Sequence, residues 1–299
     1  MKIGKVQLNL ENYIPENDIY SDGAIEDELL HIVKEHKENE VLDIDNRWPI
    51  LYYFSPIREN ILSWYDFTVG GKILEIGTGC GAITCLLCRK KLYVHGIESS
   101  KRRSIITAYR NKNCENLRIS VGNFFDMNIS EKYDYITLIG VLEYANMFIP
   151  DAPDAAIELL KKCRKLLKNN GKIFIAIENR LGAKYFSGAV EDHVGVPWCG
   201  IENYQNIDKV KTFSRSELSR ILKSSGFAKQ DWYYPYPDYK LPAKIFSDFF
   251  LPTSEMLELP IKSYDTNRMA VFDEYKLIKS ISSEEEFKYL SNSFLVISE

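Results

Sequence analysis

The chain has 299 residues, of which 45% are hydrophobic, enough to bury a sizeable core in one large domain or two small ones and too many for a disordered chain. Its formal net charge of −4 and pI near 5.8 argue against a nucleic-acid partner, because phosphate contacts need a basic surface. No apolar run approaches a membrane span and MKIGKVQLNLENY lacks a signal-peptide core, so a cytoplasmic location without an integral membrane segment is expected.

Residues 1–70 read as an N-terminal helical cap. DGAIEDELLHIVKEH puts Ile25, Leu29, Ile32 and Val33 on one helical stripe, and SPIRENILSWYDF starts a second helix with Ser55 as cap and Pro56 at its first position. KILEIGTGCGAI, at 72–83, then joins a buried-strand pattern to a helix through Gly77, Thr78, Gly79 and Gly81. Glycines let the backbone turn sharply and approach a ligand, and the free N–H groups of the following helix point at the same spot. Gly77, Gly79 and Ala82 also satisfy G-x-G-x-x-A, so spacing alone does not separate a nicotinamide cofactor from other adenosine-bearing ligands. Glu75 discriminates: a carboxylate at the mouth of the loop repels a pyrophosphate and favours an ammonium or sulfonium, as in S-adenosylmethionine.

Cys85-x-x-Cys88, with His95 nearby, invites a zinc reading. No second cysteine pair follows at ribbon spacing and both cysteines suit a buried helix face, so no metal is expected. LYVHGIES reads as a second strand ending at Glu98, twenty-one residues after Gly77, where a carboxylate would accept from two ribose hydroxyls with Ser99 beside it. Lys101, Arg102 and Arg103 follow; a phosphate site there is opposed by Glu98, and a solvated first helical turn is expected. LRISVGNFFDM gives a third strand and YDYITLIGVLEYA a fourth, ending in Gly140, Glu143 and Tyr144. DAAIELLKKCRKLLKNNG reads as a helix closed by lysines and Gly171, ahead of a fifth strand in NNGKIFIAIEN. Residues 181–211 carry little periodicity; Ser214-x-x-Glu217 then forms a capping box for a helix ending at Gly226. AKQDWYYPY and the terminal SFLVISE read as strands separated by a second insertion at about 238–290.

These ordered motifs resemble the class I S-adenosylmethionine-dependent methyltransferases, whose first motif reads acidic-x-Gly-x-Gly-x-Gly as Glu75, Gly77, Gly79 and Gly81 do. The resemblance implies an α/β fold, a Rossmann-like seven-stranded sheet in the order 3-2-1-4-5-7-6, spanning 71–299 with the cap at 1–70 and the two insertions. It implies S-adenosylmethionine as cofactor and S-adenosylhomocysteine as product. Asn123 stands where the family commonly carries an acidic residue for the adenine amino group, and Phe124 could stack on the ring. Gly140, at the fourth strand end, faces the transferable methyl in the family. Tyr53 and Arg58 are candidates for the cofactor carboxylate.

Segments such as YYFSPIREN, AIENRLGAKYF, EDHVG and YYPYPDYKLP look like methyltransferases encoded in bacterial surface-polysaccharide loci, which implies a hydroxyl acceptor on a sugar or glycan. Eight aromatic residues between Trp232 and Phe250 suit sugar faces and suit core packing equally. A sugar hydroxyl must lose its proton. His193, beside Asp192 in the first insertion, is the first candidate base, with Glu143 its rival; Glu143 could equally orient the cofactor, and Glu178 could support it from beneath. Other readings stay open: an NAD(P)-dependent oxidoreductase, a methyltransferase for another small molecule, or a non-catalytic binding subunit. The acceptor and the oligomeric state are not fixed by the sequence.

Overall fold

Ten strands carry the architecture of the computed structural model, which describes residues 1–18, 20–150, 152–257 and 269–299. They are β1 (Lys2–Ile3), β2 (Val6–Asn9), β3 (Lys72–Ile76), β4 (Tyr93–Glu98), β5 (Leu117–Val121), β6 (Tyr133–Ile139), β7 (Leu167–Glu178), β8 (Gln230–Tyr236), β9 (Lys244–Ser247) and β10 (Ser293–Ser298). Their order in the sheet is β1-β2-β5-β4-β3-β6-β7-β10-β8-β9. The α/β Rossmann-like fold is present, but the expected seven-stranded sheet is corrected to ten strands in this order. The three additional strands are too short, at two to four residues, to give a two-residue periodicity that stands out from the surrounding sequence.

The chain divides into two compact units, Met1–Leu138 with Lys165–Ile173, and Ile139–Arg164 with Phe174–Glu299. In the first, β3, β4 and β5 pair in parallel, with Ile73 opposite Val94 and Val94 opposite Leu117. Their side chains are almost wholly buried, the pattern of strands covered on both faces. The N-terminal region is helical only in part: β1 and β2 form a hairpin whose second strand pairs in parallel with β5. The helix Ile25–Glu35 buries Leu29, Ile32 and Val33, as its periodicity requires. These side chains share a core with Ile50, Tyr53, Phe54, Cys80 of the glycine loop and Ile106 of the helix Lys101–Arg110. Truncating Leu29 to alanine would cost about 2–5 kcal/mol. Ser55 does cap, accepting from the Ile57 N–H, but the turn it starts is a 3₁₀ helix, Pro56–Glu59, continued by Asn60–Ser63.

The helix Ala155–Leu166 carries Lys161, Lys162 and Lys165 in its C-terminal half as expected, but Gly171 lies inside β7 rather than closing the helix. A Cβ there would lie 3.0 Å from the Tyr133 carbonyl oxygen and 3.1 Å from the Lys168 nitrogen, so close backbone approach explains the glycine. In the second unit β10 pairs antiparallel with β8, and β8 with β9. The capping box holds: Ser214 and Glu217 bond reciprocally at the head of the helix Arg215–Ser224. Among the aromatic residues of 232–250, Trp232, Tyr234, Tyr236, Tyr239 and Phe246 are buried; Trp232, Tyr234 and Phe246 pack with Phe287 or Phe294 and Tyr236 with Phe246, whereas Phe249 and Phe250 are exposed. Among the described residues no helix is long and apolar enough to cross a membrane.

Candidate active site

In the first unit the glycine loop leaves β3 at Ile76. Gly77, Gly79 and Gly81 have φ of 78°, 54° and 84°, the left-handed region that only glycine enters without strain. The Gly79 N–H donates to Glu98 Oε2 at 2.7 Å, and its carbonyl accepts from Thr107 Oγ1 at 2.8 Å. Glu98 Oε1 also accepts from the Ser100 N–H at 3.1 Å and the Ser99 hydroxyl at 3.3 Å. Three donors thus fix the carboxylate at the end of β4 while leaving it further acceptor capacity. The Thr78 hydroxyl is buried without a hydrogen-bond partner among the described residues.

Glu75 is buried and its Oε2 has no hydrogen-bond partner among the described residues. Burial, opposed by the Thr84 hydroxyl and reinforced by the negative charge of Glu98, pushes its carboxyl up to about 8. An orphaned carboxylate oxygen beside a glycine loop fits a ligand carrying positive charge, and two neighbouring carboxylates disfavour a pyrophosphate.

Asn123 caps the 3₁₀ turn Phe124–Asp126, its Oδ1 accepting from the Phe125 N–H at 3.0 Å, and Phe124 is buried. The basic triplet departs from the expected solvated turn, because Arg103 is buried. Its guanidinium lies 4.8 Å from the Tyr20 ring centre and 5.8 Å from that of Tyr53, and Nη2 donates to the Tyr53 hydroxyl at 2.8 Å. The Tyr53 hydroxyl in turn bonds Asp22, and a Cβ on Gly79 would sit 3.2 Å from Arg103 Nη2. The first unit's own N-terminal segment therefore covers its glycine loop through Tyr20, Asp22 and Tyr53. Arg58 is buried too, stacked 4.4 Å over the Tyr52 ring and donating to its hydroxyl at 3.0 Å. His95 is structural: it bonds Tyr133 at 2.6 Å and Ser120 at 2.9 Å, and burial with the nearby Arg118 charge lowers it to about 4.

The second unit holds a different constellation. β7 delivers Glu178, the turn after β6 delivers Glu143 and Tyr144, and the first insertion delivers His193. His193 Nε2 lies 3.2 Å from Glu178 Oε2 and 3.9 Å from Glu143 Oε1, while Nδ1 meets the Tyr144 hydroxyl at 2.9 Å. Burial disfavours the imidazolium, but the charges of Glu178 and Glu143 outweigh it and raise His193 to about 9. Neither Glu143 oxygen has a hydrogen-bond partner among the described residues, and burial beside Glu178 pushes its carboxyl upward. Glu178 goes the other way: despite its burial, the Lys240 ammonium 2.7 Å from Oε1, together with His193, holds it well below the usual carboxylate range. Gly140, with φ of 71°, ends this strand where a Cβ would come 2.8 Å from the Tyr239 hydroxyl. Glu143, Glu178 and His193 are also the grouping among the described residues whose ligand atoms, within 4.8 Å of one another, could hold a metal ion. The structure instead sets a lysine ammonium against Glu178.

Arg103, Tyr144 and Lys240 escaped the reading of the sequence as site residues. Arg103 sits in a triplet that suits a solvated turn, and Lys240 lies in an insertion with no spacing that ties it to β7. Asp192, read only as the neighbour of His193, proves to be the partner of two lysines.

Residues 74–173 match the family model of a methyltransferase domain. Curated relatives include a ubiquinone biosynthesis O-methyltransferase of Pelagibacter ubique, 28% identical over 62% of this chain and 78% of the relative, and one of Idiomarina loihiensis, 25% identical over 61% and 72%. Among solved structures, a methyltransferase of Streptomyces caelestis is similar at a TM-score of 0.49 and 15% identity, covering 81% of this chain and 88% of that one. The glycine loop and its two carboxylates thus lie within a methyltransferase domain. The chain is an S-adenosylmethionine-dependent methyltransferase.

Proposed function

We propose that the enzyme transfers the methyl group to a hydroxyl oxygen of a small-molecule acceptor. The observation that carries this reading is the His193–Glu178 pair beside Glu143, whose oxygens have no hydrogen-bond partner among the described residues, because a hydroxyl, unlike a neutral amine, must surrender its proton as the new bond forms. The names of the curated relatives agree with an oxygen acceptor. Bound S-adenosylmethionine supplies a sulfonium methyl group and leaves as S-adenosylhomocysteine.

Glu98 would accept from the ribose hydroxyls, with Ser99 beside it; Glu75 would answer the positive charge of the ligand; Gly77, Thr78, Gly79 and Gly81 would give it backbone access; and Asn123 and Phe124 would border the adenine. Tyr53 and Arg58 are read as supports for the carboxylate end, and Gly140 as a position at the end of β6 where a side chain would meet the Tyr239 hydroxyl. His193 in its neutral form donates its Nε2–H to Glu178 and would take the acceptor's proton at Nδ1, the nitrogen that meets the Tyr144 hydroxyl, becoming the imidazolium that Glu178 stabilises, while the acceptor oxygen would gain the methyl carbon and the sulfur keep the electron pair of the broken bond. Glu143 is the rival base. Because Glu178 and Glu143 favour the imidazolium, the base gains strength and the rate should climb toward pH 9.

Between acceptor classes, the relatives favour the ring hydroxyl of a quinone precursor. A sugar hydroxyl in surface-polysaccharide synthesis rests on the sequence resemblance, and loses the aromatic residues buried in packing as support. Radiolabelled S-adenosylmethionine offered with a panel of hydroxylated quinone precursors and nucleotide sugars tests the proposal. Label in a methyl ether of either class supports oxygen transfer and chooses the acceptor; label appearing only on amines overturns it.

A further inference from the structure

Lys240 stands in the second insertion, four residues past the end of β8, yet its ammonium is buried 2.7 Å from Glu178 Oε1 and 2.7 Å from Asp192 Oδ1. Lys184, of the short helix Ala183–Phe186, takes the other Asp192 oxygen at 2.7 Å and Asp238 at 2.9 Å, and the Tyr185 hydroxyl also bonds Asp192. Four segments of the second unit thus converge on one buried charge network that ends at the imidazole of His193. Such a network is expensive to desolvate and weak as a stabilising device, since apolar residues of similar volume often serve stability as well or better. Its retention points to a task of position and charge.

Resting on the reading of His193 as the base, we infer that Lys240 is a positioning residue: it fixes the charge and place of Glu178, and through Glu178 sets the orientation and proton affinity of the His193 ring. The geometry divides two neighbouring carboxylates by their cations. Glu178 has an ammonium on one oxygen and the imidazole on the other; Glu143, 3.9 Å from the same nitrogen, has neither an ammonium nor a hydrogen bond among the described residues. Environments that push paired carboxylates apart are how one site assigns fixed and proton-carrying roles. The charged and titratable groups that face His193 are Glu143 and Tyr144 after β6, Glu178 on β7, Glu191 and Asp192 on its own segment, and, through Asp192, Lys184, Tyr185 and Lys240.

The sign of the effect follows from the balance. Removing the Lys240 charge takes away a repulsion felt by the imidazolium and leaves Glu178 and Asp192 less compensated, so the His193 proton should be held more tightly. Histidine NMR titration of the full chain saturated with S-adenosylhomocysteine, with His193→Gln identifying the resonance, reads this without an acceptor. Lys240→Met should move the His193 midpoint upward by about one pH unit, and Lys240→Arg should return it toward the wild-type value. Affinity for S-adenosylhomocysteine, measured alongside, should stay within about twofold in Lys240→Met, showing that the fold persists. An unmoved midpoint in Lys240→Met, or an equal upward shift in Lys240→Arg, overturns the inference. Should Lys240→Met not fold, Glu178→Gln decides: a lower midpoint supports the relay through Glu178 and an unchanged one overturns it. Failure of the general-base reading shows separately, as near-normal turnover in His193→Gln.

Discussion

The two units each bury several carboxylates, and they differ in how many of them are met by cations of the protein. In the first, the charge of Glu98 adds to the cost of ionising the buried Glu75, which keeps an oxygen that no hydrogen bond among the described residues answers. In the second, Glu178 and Asp192 are answered by Lys184, Lys240 and His193, all within the protein. A carboxylate left without a cation suits a site whose positive charge arrives with a ligand. A carboxylate matched by resident cations suits a site that must hold its protonation pattern while protons pass through it.

The sharpest break in this comparison comes from His193→Gln. Turnover on the true acceptor should fall by roughly two to four powers of ten, whereas calorimetry should find S-adenosylhomocysteine affinity nearly intact. Near-normal turnover would move the base role to Glu143, for which Glu143→Gln is the complementary variant. Glu98→Ala attacks the other unit and should weaken S-adenosylhomocysteine by about 1.5–3 kcal/mol for each desolvated bond lost; unchanged affinity would put the ribose elsewhere.

Glu75→Gln probes the uncompensated charge directly. The folded-state carboxyl titrates near 8, above the ordinary value of 4.5, so the preference for the neutral form favours folding below 4.5 and is lost as pH rises through 8. At pH 8 the amide should raise the unfolding temperature by about 2–4 °C and weaken S-adenosylmethionine by about tenfold. A variant that gains stability and keeps its affinity would show that the charge is not there for the ligand.

The pH profile sharpens the contrast further. His193 holds its proton to about 9 against an ordinary 6.5, so the stabilisation from Glu178 is full below 6.5 and lost as pH rises through 9. Turnover should rise over the same interval, provided chemistry limits it, and thermal stability should decline there in the wild type but not in His193→Gln. A turnover limb near 6.5 would show that the ring is not held by Glu178 in the working enzyme. The smallest effect is expected from His95→Gln, which removes bonds to Tyr133 and Ser120: stability should drop by about 1–2 kcal/mol, read by chemical denaturation, with turnover per folded molecule unchanged.

The parallel strands, the glycine loop and the carboxylate at the end of β4 were written locally. Continuous apolar runs, glycines that need left-handed backbone and a fixed interval from Gly77 to Glu98 all act over short stretches, so sequence sufficed for the α/β class, the methyltransferase class and the conformation of the glycine loop. Tertiary structure decided the rest, because it depends on residues far apart in the chain. Two short N-terminal strands find a partner only because β5 offers an unpaired edge. Arg103 becomes a buried contact only because Tyr20, Asp22 and Tyr53 arrive from the N-terminal segment. Gly171 reads as a helix stop until β7 brings it against the Tyr133 carbonyl. Glu143 and Glu178 are indistinguishable as letters; they differ because Lys240, sixty-two residues beyond Glu178, forms its ion pair with Glu178. Local pattern specifies conformation, whereas the charge state of a buried group is the sum of fields from every segment packed around it.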